Sequence, residues 1–557
     1  MFIDTEAANR GQAPRVKVTA ANGSLAYEDE GSPLMETFVG QDAPPSYLEA
    51  TTPMPWGQGG EGSRLLEEGR VSVAFTPMRE EHKDGKYRRR GCADSLTKKR
   101  VFVGLLAIIA IIVVSVIIAA LAGRQKEREA TPIAVPAQPA SSSIPLLPGK
   151  PTKPHGKQTF PIRWPSHCGK NNYNVKSEGL NFGSPSSLTI HESIQQLDGP
   201  YKRVSGWIHV APAPSDQAAG TIQAKMSYAV TDTIDVNSIK YEYRPDGLTI
   251  GDPTLPDGLD EVNKGSACLG VSVTLYVAAG AKIDNLNIRS SHLGMQVHNG
   301  VNFAVTNTTD ISLTTGTLDS VSFNSRETHL RTISGSISGK YSLFDLVSIE
   351  TKSGSVNVNI QPKEAVEGSS PSAVFTANSI SGSVRADFER KKIPQRDYQV
   401  SINTTVGSVD GTFIHGSRTE LMSVEGQINA DLLPYSSTST DEPSILTTKT
   451  TDGQTLIKVH SPYHSRKTNP SMMNKMVSTH TSISGAVDLK YPQEWSGHLE
   501  GQSFNGTVHL QGKDLELLKQ EEREGFNLVE AKKGNGGSTM VFGTVSGGCE
   551  VKVGKSG

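Results

Sequence analysis

The sequence predicts a mainly β protein: an irregular β-solenoid or β-helix-like ectodomain on a single transmembrane α-helix, behind a disordered N-terminal tail. Three observations lead there. Residues 101–123, VFVGLLAIIAIIVVSVIIAALAG, carry no charge and no proline. At about 1.5 Å per helical residue they reach roughly 34 Å, enough for a hydrocarbon core of about 30 Å. Beyond residue 168, short segments alternate apolar and polar side chains with a period near two, the pattern of half-buried strands. Between 285 and 512 a unit of strand, small-residue corner and strand recurs.

The flanks of the apolar segment set its expected orientation. Lys83, Lys86, Arg88, Arg89, Arg90, Lys98, Lys99 and Arg100 precede it, whereas the window 124–141 holds only Arg124, Lys126 and Arg128. Cationic side chains stay on the cytoplasmic face during insertion, so the N-terminus is expected inside and the C-terminus outside. The opening MFIDTEAANRGQ shows no apolar stretch of its own, which makes the span both signal and anchor of a type II, single-pass protein. The expected location is the plasma membrane or another membrane of the secretory pathway. A net charge of -2 lacks the basic excess of nucleic-acid-binding domains, so no nucleic-acid partner is expected.

Residues 1–100 are rich in Gly, Pro, Glu and Ser and bury too little apolar surface to offset chain entropy. Within them, Pro44-Pro45-Ser46-Tyr47 resembles the PPxY motif read by WW domains. Two prolines pre-set a polyproline II turn for an aromatic groove, and the tyrosine fills a neighbouring pocket. That resemblance implies a WW-domain ubiquitin ligase as partner. Cys92, nine residues before the span, is a candidate for S-palmitoylation, a free thiol being the simpler reading. Residues 124–165 contain TPIAVPAQPASSSIPLLPGKPTKP, the composition of a semi-rigid stalk.

Residues 166–284 read as an N-terminal β region, with strands at 188–194, 204–212, 222–230, 247–253 and 271–288. Of the four cysteines, Cys168, Cys268 and Cys549 lie on the outer side, which permits one disulfide and leaves one thiol over. Residues 285–512 hold the repeated arcs. Their corner glycines are Gly335, Gly354, Gly382, Gly407, Gly426, Gly485 and Gly506, with one long insertion at about 435–476. Glycine there allows close approach of stacked backbones. One such unit cannot bury its apolar side alone, so copies must stack, as a solenoid or a layered sandwich. Residues 513–557 are read as a helix, KDLELLKQEERE at 513–524, followed by closing strands.

The arcs ISGSISG (333–339), LVSIETKSGSVNVNIQPK (346–363) and ISGSV (380–384) resemble the putative-adhesin domain family of bacteria and fungi. There, SGS(I/V) corners recur between short strands of a β-helical stack. The likeness spans roughly residues 270–510. It implies a surface domain that adheres and brings no catalytic residue set. The layout of motif-bearing tail, single span and stalk resembles that of fungal membrane proteins.

The outer part carries three N-glycosylation sequons, at Asn307, Asn403 and Asn505. No nucleophile elbow, phosphate-binding loop, dinucleotide fingerprint or HExxH occurs. His460 and His464 are four apart, but Pro462 between them spoils a shared helical face. The loop 251–265 offers Asp252, Asp257, Asp260 and Glu261 without EF-hand spacing, and reads as solvated. Asp345, Asp387, Asp410 and Asp431 fall in or near arcs, where a close pair would suit glycan cleavage. Strand-end polarity is the plainer reading. The expectation is therefore a non-enzyme without cofactor or metal, held in a lipid bilayer and contacting an extracellular glycan or protein. A trafficking adaptor acting through the PPxY tail and a β-helical glycan-active enzyme are the alternatives.

Overall fold

Strands with one apolar side, joined at small-residue corners, find burial only against further copies of themselves. The chain satisfies this with two long sheets. The computed structural model describes residues 160–554 apart from 166–167, 170–172, 195–200, 252–266, 367, 369–370, 436–441 and 464–469. Residues 1–159, and with them the apolar segment 101–123, Pro44, Pro45, Tyr47 and Cys92, lie outside the described residues. Among the described residues no helix is long and apolar enough to cross a membrane.

The larger sheet has 16 strands and the smaller 15. Each coil of chain gives one strand to each. Ser325–Thr332 lies in the larger sheet and Ile337–Leu343 in the smaller. The next coil, Leu346–Thr351 and Val356–Pro362, stacks on it in parallel register. Three strands of the larger sheet and two of the smaller are antiparallel additions at the ends; without them thirteen coils remain. The strands expected at 188–194, 204–212, 222–230 and 247–253 are present as Ser187–Glu192, Tyr201–Pro212, Ile222–Thr231 and Gly247–Ile250. The single strand expected over 271–288 instead divides at residues 278–281 into Ala267–Val277 of the smaller sheet and Lys282–Ser290 of the larger.

At both ends the coil order departs from chain order. Ser187–Glu192 and Tyr201–Pro212 lie between the coil of Gly247–Ile250 and Ala267–Val277 and the coil of Lys282–Ser290 and Leu293–Val297. Ser538–Ser546 and Cys549–Val553, the last coil in the chain, are inserted between the coil of Met476–Ser484 and Val487–Tyr491 and the coil of Gly497–Asn505 and Val508–Gly512. Both coils therefore have hydrogen-bonded neighbours above and below. The Cys168–Cys268 disulfide spans 100 residues of sequence near the N-terminal end. In the chain-entropy account a loop of that length is worth about 4–5 kcal/mol.

Buried side chains form columns between the sheets. Ile288, Ile311, Leu330, Ile349, Ala377, Ile402 and Leu421 stand one above another in the larger sheet. The column then turns polar at Thr448 and His480, both fully buried. His480 Nδ1 lies 2.8 Å from Thr448 Oγ1, and its Nε2 lies 2.7 Å from the Tyr491 hydroxyl. A neutral imidazole meets both contacts with one donor and one acceptor. In the facing column Cys549 occupies the place of Val487 and Val508 in neighbouring coils, which explains its buried, free thiol. Burial pushes that thiol up to about 12.

The corner between the two strands of a coil follows one local rule. A buried Ser or Thr comes three residues before a glycine: Thr332 before Gly335, Thr351 before Gly354, Thr404 before Gly407, Thr450 before Gly453, Ser503 before Gly506. Thr332 Oγ1 donates to the Gly335 carbonyl at 2.6 Å, and Thr404 Oγ1 to the Gly407 carbonyl at 2.9 Å. A corner carbonyl faces the next coil's glycine so closely that no Cβ fits: Gly335 meets Gly316, Gly354 meets Gly335, and so on through Gly382, Gly407, Gly426, Gly453 and Gly485. Gly547 and then Gly506 close the series.

Two expectations are corrected. Residues 513–524 are not helical: Leu515–Arg523 is a strand, paired antiparallel with Phe526–Lys533 across Gly525, whose φ of 72° makes the turn. Good helix-forming residues yield here to an open sheet edge that the hairpin covers. The supposed insertion at 435–476 contains a regular coil, Ser444–Asp452 and Thr455–Val459, with Gly453 in the corner series. Its inner positions Thr448 and Thr455 are threonines, which concealed the apolar alternation.

A Cβ on Gly407 would stand 2.5 Å from the Gly382 carbonyl oxygen and 2.6 Å from its carbon, backbone atoms that cannot step aside. Gly407→Ala should cost about 2–4 kcal/mol in urea denaturation, while the exposed Thr405→Ala stays within about 0.5 kcal/mol. Burial also holds His480 at about 3 and His415 at about 4, against 6.5 in the unfolded chain. Between those values the unfolded state binds more protons, so stability falls as pH falls from 6.5 toward 4. Each histidine contributes up to about 1.4 kcal/mol per pH unit. A urea midpoint that stays fixed between pH 7 and pH 5 would contradict this.

Candidate functional site

The corner rule leaves the residue just before each buried hydroxyl, and the one just after it, pointing outward. The residues before it run in register as Ser312, Arg331, Glu350, Asn378, Asn403 and Met422 along the edge of the larger sheet. The residues after it form a ridge in which Ile333, Ile380, Val424, Ile483, Val545 and Phe504 are exposed. Ile380 is 55 % accessible and Phe504 47 %, high for large apolar side chains. Over six consecutive coils, residue 312 to residue 424, the two rows enclose a groove of about 660 Å³.

The groove mixes chemistries. Ile333, Ile380 and Val424 give it apolar contacts, and Lys352 interrupts that row. On the polar side, Arg331 Nε pairs with Glu350 at 3.2 Å, both half exposed, and the Asn403 amide donates to Asn378 Oδ1 at 3.1 Å. An ion pair this open to water contributes little to stability and keeps both groups free to meet a ligand. The hydroxyls Thr332 and Thr404 below already serve the corner carbonyls. The arrangement suits binding along an extended ligand.

The four aspartates singled out above are each engaged by partners of their own. Asp345 is buried and accepts from Arg326 Nε at 2.7 Å and Arg396 at 3.4 Å, a brace within the stack. Asp387 accepts from Arg385 at 3.2 Å and from the Thr412 hydroxyl at 3.1 Å. Asp410 accepts from the Ser408 hydroxyl at 2.8 Å. Asp431 faces His460 at 3.3 Å and Arg390 at 3.7 Å. Each meets a base or a hydroxyl in these contacts, as strand-end polarity requires. His464, Asp252, Asp257, Asp260 and Glu261 lie outside the described residues. Asn307 and Asn505 are exposed, and Asn403 lines the groove.

Two clusters escaped the sequence. Glu192 is 1 % exposed at the end of Ser187–Glu192. Burial alone would raise its carboxyl, but bonds from His292, Ser290 and the Ser291 and Ile194 amides hold it below the usual range. With its oxygens so occupied it is a structural cap. His209 Nδ1 lies 3.0 Å from His298 Nε2, and Phe160 stacks on both rings at 4.2 and 4.3 Å. Burial, helped by the His298 charge, holds His209 at about 4. Alternation within VSGWIHVAP puts His209 on the outer face of its strand, and nothing in the sequence says that residues 160–165 cross that face. Among the described residues no group of three or more His, Cys, Asp or Glu side chains is placed to hold a metal ion.

No protein-family model matches the chain, and no curated protein matches it in sequence. Among solved structures, a "putative adhesin" from Bacteroides fragilis is similar over 52% of this chain and 98% of its own, at 11% identity and a TM-score of 0.25. A "putative adhesin" from Parabacteroides merdae covers 57% of this chain and 96% of its own, at 9% identity and a TM-score of 0.19. A "putative cell adhesion protein" from Clostridium sporogenes covers 68% and 99%, at 9% identity and a TM-score of 0.13.

Proposed function

We propose that this chain is a non-enzymatic display protein, anchored in type II orientation by residues 101–123, whose solenoid binds an extended glycan or protein ligand along the groove at the glycine corner. The observation that supports this reading is the ridge of Ile333, Ile380 and Val424, alternating with Lys352 and Thr405, beside the polar row of Arg331, Glu350, Asn378 and Asn403. A stiff stack offers such a row of contacts without an ordering cost on binding. Adhesion at the cell surface follows from the same arrangement, with Pro44, Pro45 and Tyr47 supplying an inner-face handle for a WW-domain ligase.

The test is attachment of cells displaying the full chain to immobilised polysaccharides and to neighbouring cells. Ile380→Asp and Val424→Asp change exposed side chains and leave the fold intact. Together they should reduce attachment at least tenfold. Unchanged attachment, or shortened polysaccharide chains after incubation, would overturn the proposal.

A further inference from the structure

The C-terminal end of the stack is built unevenly. The last coil pairs Gly497–Asn505 in the larger sheet with Val508–Gly512 in the smaller. Beyond it the larger sheet continues by two strands, Phe526–Lys533 and then Leu515–Arg523. Among the described residues the smaller sheet stops at Val508–Gly512. The hairpin therefore overhangs a space with no strand of the smaller sheet opposite it among the described residues.

The side chains show the consequence. Leu499, Ala531 and Leu517 share one register position on the core face. Leu499 and Ala531 are fully buried, but Leu517 is 53 % exposed. Val508 and Leu510 are only half buried, although Cys549 and Val551 beside them are buried to within 1 %. The backbone is open as well. The Cys549 amide donates to the Thr507 carbonyl at 2.8 Å. Parallel ladders alternate, so Thr507, His509 and Gln511 face the neighbouring strand, and the N–H and C=O groups of Val508 and Leu510 turn to the free side.

The other three sheet edges are blunted by charge. Along Tyr173–Gly183, Lys176 and Glu178 share the core-facing register of Tyr228 and Met226 and pair with each other at 2.8 Å. Tyr241–Arg244 carries Glu242 and Arg244, 2.7 Å apart. Leu515–Arg523 carries Lys519, Glu521 and Arg523 and a bulge between 517 and 519. Inward charges and bulges are how sheets refuse added strands. Val508-His509-Leu510-Gln511-Gly512 has no Asp, Glu, Lys, Arg, Pro or bulge.

The geometry points to a strand-accepting slot at this end: Val508–Gly512 binds an extended peptide segment of a partner protein by β-augmentation. The guest pairs its backbone with Val508 and Leu510 and sets aliphatic side chains, at alternate positions, between Leu510 and Leu517. A second copy of this chain does not fit. Its other edges would bury charge against Leu517, and joining two Val508–Gly512 edges would force both overhanging hairpins into the same space.

The test is selection of random ten-residue peptides on the full chain held in lipid nanodiscs, followed by affinity measurement of the enriched peptides. Enriched sequences should alternate Val, Ile, Leu or Thr with other residues over about five positions. Val508→Pro removes a free-side N–H without touching a ladder bond, since proline is tolerated on that side of an edge. Leu517→Lys puts a charge on the exposed wall. Each should weaken binding at least tenfold. The proposal is overturned if no peptide is enriched, if the enriched peptides lack alternation, or if they bind both variants as tightly as the original chain.

Discussion

One contact recurs through this fold: a corner carbonyl directed at the Cα of the next coil, too close for any side chain to intervene. Ordinary strand pairing tolerates a slip of two residues, because every other side chain still faces inward. The glycine series does not. A shift of even one coil relative to its neighbour would drive a Cβ into backbone, so the stack has a single register along most of its length. The hydroxyl three residues earlier completes the device, since a corner carbonyl drawn into the core would otherwise lack a partner.

Register, once set, determines the rest of each coil. Beyond the glycine every second residue enters the smaller sheet facing inward, which produces the column of Val356, Val384, Val409 and Ile428. Before it, the same alternation lines up Leu330, Ile349 and Ile402. The outward positions fall equally into rows, so a surface groove running over several coils follows from the packing of the interior. In this sense the candidate binding face is the outer imprint of the corner rule.

Solenoids are most vulnerable at their ends, where a terminal coil has only one neighbour. Here the first and last coils of the chain are threaded between others, and antiparallel strands cover three of the four sheet edges. Fraying either chain end therefore breaks two ladders at once. The fourth edge, which no other strand covers among the described residues, lies opposite a hairpin whose inner leucine is exposed and departs from that scheme.

The mainly β class, the glycine-cornered arcs and most strands between 188 and 288 were legible in sequence, because period-two alternation and glycine reflect sterics acting within a few residues. So was the room for a single outer disulfide. Other features depended on residues far apart in the chain. Leu515–Arg523 has helix-forming residues and became a strand only because a sheet edge needed covering. The coil holding Gly453 was hidden because Thr448 and Thr455, polar by type, are buried through bonds to His480 and by position in the columns. The threading of the last coil between two earlier ones, and the groove edged by Asn378 and Asn403, required the completed stack. Local sterics could write the unit of this fold into its sequence, whereas the order of stacking depends on which edges remain open once the other coils are in place.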